Sequence, residues 1–183
     1  MLIALTGTPG TGKTSVSYVL QEKGFQVVDL NKVAIEEGFI AGIDKKRNSK
    51  IVDVDRLNKY VKDFCYKDKD VVFFVGHVSH ILKNVDKVIV LRCHPYELKK
   101  RLYKKRWAER KIKENIEAEI LDIILCESLD IHSEKNVFEI DTTALSVDVV
   151  ASSIIEIIDN DFKYMEKYKI GKIDWSEELL KDF

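Results

Sequence analysis

Short apolar runs alternate along the chain with longer segments in which apolar residues recur every three or four positions. The runs cover residues 2–6, 25–28, 71–75, 87–91 and 137–140. They are rich in Val, Ile and Phe and show almost no polar alternation, which predicts strands covered on both faces. The periodic segments predict helices over 14–23, 30–37, 55–68, 95–105, 112–128 and 146–160. Pro95 suits the first turn of its helix, where a missing N–H costs nothing. This rhythm predicts an α/β fold: a five-stranded, parallel, doubly wound sheet with ligands at the carboxyl ends of its strands. No repeat or low-complexity linker interrupts it, and 183 residues suit one domain.

Two segments break the alternation. Residues 38–54 are polar and irregular, and residues 104–114 form a charged insert between two predicted helices. The last stretch, 161–183, reads as an amphipathic tail.

Between the first strand and first helix lies Gly7-Thr8-Pro9-Gly10-Thr11-Gly12-Lys13-Thr14, the Gly-x-x-x-x-Gly-Lys-Thr phosphate-binding loop. Gly7, Gly10 and Gly12 let successive backbone N–H groups turn inward at phosphate oxygens. The helix adds its positive end, Lys13 a mobile cation, and Thr14 a hydroxyl for Mg²⁺. A nucleoside triphosphate is the expected ligand.

The formal charge of −1 conceals a segregation: residues 92–113 hold ten Lys/Arg against two Asp/Glu, and residues 114–183 hold 18 Asp/Glu against six Lys/Arg. Inside a nucleotide-binding protein, a basic block embraces phosphates, contacts nucleic acid, or is a solvated helix face. It carries no recognised RNA-binding motif, so sequence-specific reading of RNA or DNA is not expected. With no run of about 18 apolar residues, no membrane span is expected. The start has no basic-then-apolar leader, which predicts a cytoplasmic protein. Cys65, Cys93 and Cys126 are scattered and read as reduced packing residues.

Phosphoryl transfer depends on positioning and charge neutralisation. The third strand ends in Gly76-His77-Val78-Ser79-His80, without the acid that often serves Mg²⁺ there. His77 at that end can donate to a γ-phosphate or orient a water; packing and capping are the alternatives, and no third ligand near His80 makes a metal site. Asp53 is the better candidate site acid, with Asp55 as a helix N-cap. Asp29 closes the second strand, placed equally to meet a substrate or to cap the next helix. Arg92 faces phosphate or pairs with an acid. Among Arg101, Lys104, Lys105, Arg106 and Arg110, one or two would reach over the phosphates as a lid. The turn 141–144 could present backbone groups to a purine edge. Asn31-Lys32-Val33-Ala34 lacks the Asp of a guanine-reading NKxD, which argues against a GTPase switch.

Together Thr6–Thr14, Val52-Asp53-Val54-Asp55-Arg56, Gly76-His77, Glu114-Asn115-Ile116-Glu117-Ala118-Glu119-Ile120, Ile140-Asp141-Thr142-Thr143 and Gly171-Lys172-Ile173-Asp174-Trp175 resemble the adenylate kinase isoenzyme 6 family over nearly the whole chain. The resemblance implies a P-loop nucleoside monophosphate kinase that takes ATP with Mg²⁺ and AMP, and also hydrolyses ATP. It further implies a role in small-ribosomal-subunit maturation through one small-subunit ribosomal protein. Gly10, Gly12, Lys13, Thr14 and Ser15 would bind ATP, with Thr14 on the metal. Residues 30–53 would form a monophosphate arm, with Asp29, Arg47, Asp53 and Arg92 on the acceptor side. Residues 104–114 would form the lid. The family's lid arginine precedes a Gly and an aromatic residue. Here Lys105-Arg106-Trp107 stands there, so that role falls to Arg106 or to Lys105. Lys13, His77 and Arg106 are the expected catalytic group; the alternative is an ATPase assembly switch with little kinase turnover.

Overall fold

The computed structural model describes residues 1–44, 49–64, 70–163 and 166–180. Within them the chain runs β1 (Leu2–Thr6), α1 (Lys13–Glu22), β2 (Gln26–Asp29), α2 (Leu30–Glu36), β3 (Ile40–Asp44), β4 (Ser49–Val52), α3 (Val54–Lys62), β5 (Val72–Val75), β6 (Lys87–Arg92), α4 (Pro95–Lys104), α5 (Glu109–Ile120), α6 (Ile123–Ile131), β7 (Val137–Asp141) and α7 (Val147–Asp159). The main sheet is parallel, in the order β2-β5-β1-β6-β7. The order reverses around β1, so its carboxyl end opens into the crevice where such sheets bind ligands.

Alternate residues of each strand serve opposite faces. Ile3 and Leu5 pack with Phe73, Ile89 and Leu91 against Val16 and Leu20 of α1 and Ala151 and Ile154 of α7. On the other face Leu2, Val72 and Phe74 meet Leu30, Leu57 and Val61, while Ala4, Val88 and Val90 meet Leu125. A separate cluster of Cys93, Leu98, Leu102, Ile112, Ile116 and Ile120 bonds α4 to α5, with Trp107 and Trp175 at its margin. The tail is thus held beside these two helices.

The five predicted strands and the doubly wound class are present. Three details differ. The irregular stretch before α3 contains an antiparallel hairpin, β3 with β4. The helix expected over 112–128 is two helices, broken where Asp122 takes a left-handed conformation (φ 53). An aspartate tolerates that geometry better than most residues, and the Asp122 carboxylate receives the Arg92 guanidinium there. The helix expected over 55–68 is described only as Val54–Lys62. Cys93 is buried as expected, but Cys126 is exposed, and Cys65 lies outside the described residues. No helix among the described residues is long and apolar enough to cross a membrane.

Candidate active site

The loop after β1 has the backbone its sequence requires. Gly7, Gly10 and Gly12 have φ of 134, 102 and 108. A Cβ on Gly7 would lie 2.3 Å from the Leu91 carbonyl oxygen, and one on Gly10 would lie 2.8 Å from Leu98 Cδ1. Gly12 instead has open space beside it, at the mouth of α1. Helix α1 starts without a side-chain cap, leaving its first N–H groups for an anion. Thr14 and Ser15 are exposed on that turn.

Lys13 is buried and donates to the carbonyls of Gly7 (2.6 Å) and Thr8 (3.0 Å). Burial pulls its pKa down to about 7; the Glu119 carboxylate opposes this and the Lys105 cation adds to it. The loop therefore holds an amine whose charged form anionic phosphate would stabilise.

Gly10, Gly12, Lys13, Thr14, Ser15, His77 and Lys105 line one cleft of about 1310 Å³. Lys50, Arg101, Lys104 and Lys111 join them, against one lining acid among the described residues, Glu114. Such a cleft suits a polyanion. Its far side is closed by Asn31, Ala34 and Ile35 of α2 and by Ile40, Lys50 and Val52 of the hairpin. Near α7 it is lined by Leu145, Ser146 and Val147. Arg101 braces this end, donating to the carbonyls of Thr142 (2.9 Å) and Thr143 (3.1 Å). The Thr142 hydroxyl is within hydrogen-bond reach of Thr11 O at 2.9 Å, which ties the turn to the P-loop.

His77 follows β5 and faces the cleft. Its side chain is exposed to the cleft, and its pKa is lowered, first by partial desolvation among the neighbouring residues and then by Lys13, His80 and Lys111, which favours the neutral ring. His80 is structural: its ring meets Thr6 Oγ1 at 3.1 Å and Glu127 Oε2 at 2.8 Å, and its carbonyl is 2.8 Å from His132 Nε2.

Other expected site residues lie elsewhere. Asp53, not Asp55, is the N-cap of α3, accepting from Arg56 N at 3.1 Å, because it is the extended residue preceding the first helical turn. Asp29 caps α2 through Asn31 N (2.8 Å) and Lys32 N (3.2 Å). Neither carboxylate lines the cleft. Arg92 does not face it either. Its side chain is 2% exposed and is engaged by Glu119 (2.8 Å), Glu139 (2.5 Å) and Asp122. Arg106 is exposed with φ 56 and donates its backbone N–H to Tyr103 O at 2.8 Å, ending α4 in the conformation usually given to glycine. Of the two alternatives for the lid cation, Lys105 lines the cleft and Arg106 does not. Arg47 lies outside the described residues.

Comparison with known proteins agrees with this geometry. A family model described as "AAA domain" matches residues 3–122. A protein of Archaeoglobus fulgidus named "Putative adenylate kinase" is 45% identical over 179 residues, covering 98% of this chain and 94% of its own. One of Methanocaldococcus jannaschii with the same name is 40% identical over 181 residues, covering 98% and 96%. Among solved structures, a shikimate kinase from Acinetobacter baumannii in complex with shikimate superposes with a TM-score of 0.60 at 18% identity, over 89% of this chain and 95% of that one. That likeness shows the P-loop kinase fold. The chain thus belongs to the AAA-domain group and to the family of proteins named "Putative adenylate kinase", and it is a phosphotransferase.

Proposed function

We propose that the chain transfers the γ-phosphoryl group of ATP to AMP, giving two ADP. The carrying observation is one cleft lined both by the P-loop with its cations and by residues of α2 and the β3–β4 hairpin. Its volume exceeds the roughly 300–1,000 Å³ usual for one small ligand. Two nucleotides can meet there end to end.

In this reading Gly10, Gly12, Thr14 and Ser15 present N–H groups to the β- and γ-phosphates, and Lys13 leaves the loop carbonyls to follow the transferring group. Lys105 and Lys111 close on it from the segment 104–114, which serves as a lid, while residues 30–53 form the acceptor arm. The Thr14 hydroxyl, exposed on the first turn of α1, would hold a hard cation. Mg²⁺ bound there would neutralise developing charge on the phosphate oxygens. No protein base is needed, because the acceptor phosphate is already ionised.

One observation favours ATP hydrolysis as a second activity. His77 lines the same cleft as Lys13, and its lowered pKa favours the neutral ring, suited to orienting a water. A cytoplasmic role in small-ribosomal-subunit maturation rests on the sequence resemblance, and ATP-dependent co-sedimentation with small-subunit precursors tests it.

The deciding experiment follows Mg-ATP by phosphorus NMR, alone and with each nucleoside monophosphate. Two ADP per ATP consumed, formed with AMP and not without it, supports the kinase. Equal release of ADP and phosphate regardless of acceptor overturns that reading in favour of an ATPase.

A further inference from the structure

Lys111, Asn115 and Glu119 stand four residues apart on α5 and so share one face of it. Lys111 and Asn115 line the cleft, whereas Glu119 is 2% exposed and engaged with the P-loop. Its Oε2 accepts from Thr8 Oγ1 at 2.5 Å. Its Oε1 accepts from Arg92 Nε at 2.8 Å and Cys93 N at 3.0 Å. Thr8 is in turn an internal anchor of the loop. Its carbonyl accepts from Thr11 N (3.2 Å), Thr11 Oγ1 (2.9 Å) and Lys13 Nζ (3.0 Å). One carboxylate therefore joins the loop that holds phosphate, the end of β6, and the helix that brings the Lys111 cation to the cleft. Glu119 cannot swing away cheaply, because the buried Arg92 would lose a partner.

We propose that Glu119 is a positioning residue for phosphoryl transfer, setting the P-loop in register with Lys111 and Asn115 through its bond to Thr8. This rests on the kinase reading above. Only a carboxylate accepts from all three donors at once: the Thr8 hydroxyl, the Arg92 guanidinium and the Cys93 N–H. A glutamine would turn its NH₂ toward Thr8 and oblige that hydroxyl to become the acceptor. Register matters because a misplacement of about 1 Å at the reacting centre can cost about a hundredfold in rate.

The test compares Thr8→Val, Thr8→Ser and Glu119→Gln, and Thr8→Val in a Lys111→Ala background. Each is confirmed folded by thermal unfolding, and kcat and the KM for AMP are measured well below its melting temperature. Thr8→Val should lower kcat by about tenfold or more while the KM for AMP stays within about twofold. Thr8→Ser, which keeps the donor, should stay close to wild type, with Glu119→Gln between the two. In the Lys111→Ala background the Thr8→Val loss should shrink, because the register it disturbs no longer has its distal member. A merely structural Thr8–Glu119 bond would not couple to Lys111, two turns away on the same helix, in this way. Unchanged kcat in Thr8→Val, or losses that multiply fully with Lys111→Ala, overturns the proposal. Should wild type transfer nothing to any monophosphate, the kinase reading fails by itself. Calorimetric affinity for a non-hydrolysable ATP analogue then decides on the same variants: non-additive weakening supports the register, and unchanged affinity overturns it.

Discussion

Gly7 and Leu91 approach so closely that a single added methyl group would sit 2.3 Å from a carbonyl oxygen. The contact joins the first residue of the phosphate loop to β6, so the loop's shape is set partly by a strand some 80 positions away. Gly7→Ala must strain a φ of 134 and displace backbone, which costs about 2–5 kcal/mol. Gly24, at φ 90 but with open space around it, provides the comparison: Gly24→Ala should cost only about 1–2 kcal/mol. Urea denaturation of the two variants measures the difference, and equal losses would refute the role of the Leu91 contact.

Lys13 is a functional group held at a cost to the fold. Its pKa falls from 10.5 to about 7 in the folded chain, first through burial. Between those values the unfolded chain binds the extra proton, so stability without nucleotide rises with pH across this window and falls as pH drops toward 7. Lys13→Met should therefore melt above wild type near pH 7 without ligand, with the gap narrowing toward pH 10. Mg-ATP should raise the melting temperature of wild type alone. Scanning calorimetry at several pH values checks both, and a destabilised Lys13→Met at pH 7 would contradict the account.

Lys105 and Arg106 are neighbours with separate expected effects. Lys105→Ala removes a cation from the cleft and should lower kcat by about tenfold or more. Arg106→Gly relieves a left-handed residue and should leave turnover within about twofold, with stability raised by about 1 kcal/mol or less. Steady-state kinetics with paired melting curves test this; a large kcat loss in Arg106→Gly would restore the arginine to the lid.

Arg92 is surrounded by three carboxylates, and removing it strands buried charge. Arg92→Met should destabilise by about 3–5 kcal/mol. Arg92→Lys should also lose stability, because one ammonium cannot reproduce a guanidinium fork. A phosphate contact would behave differently, with Arg92→Lys stable and the KM for AMP raised. Denaturation and kinetics on the lysine variant separate the two.

The sequence alone determined the phosphate loop, the five strands and the doubly wound class. Those properties are local: Gly7 to Thr14 are contiguous, and strand and helix periodicities are written over a few residues each. It also carried the family, because the order of its motifs is a property of the chain. The tertiary structure decided whatever depends on distant partners. Arg92 meets Glu119, Asp122 and Glu139 across 27, 30 and 47 positions, and no local pattern distinguishes that burial from a phosphate contact. The sequence pattern assigned the cap to Asp55 and a site role to Asp53, and only the point where the backbone turned helical gave the cap to Asp53. Lys105 and Arg106 share one charge and one neighbourhood. A single left-handed residue at the end of α4 separates them, leaving Lys105 on the cleft and Arg106 outside it. Glu119 lay within a recognised motif, yet its bond to Thr8 exists only because α5 packs behind a loop 111 residues earlier in the chain.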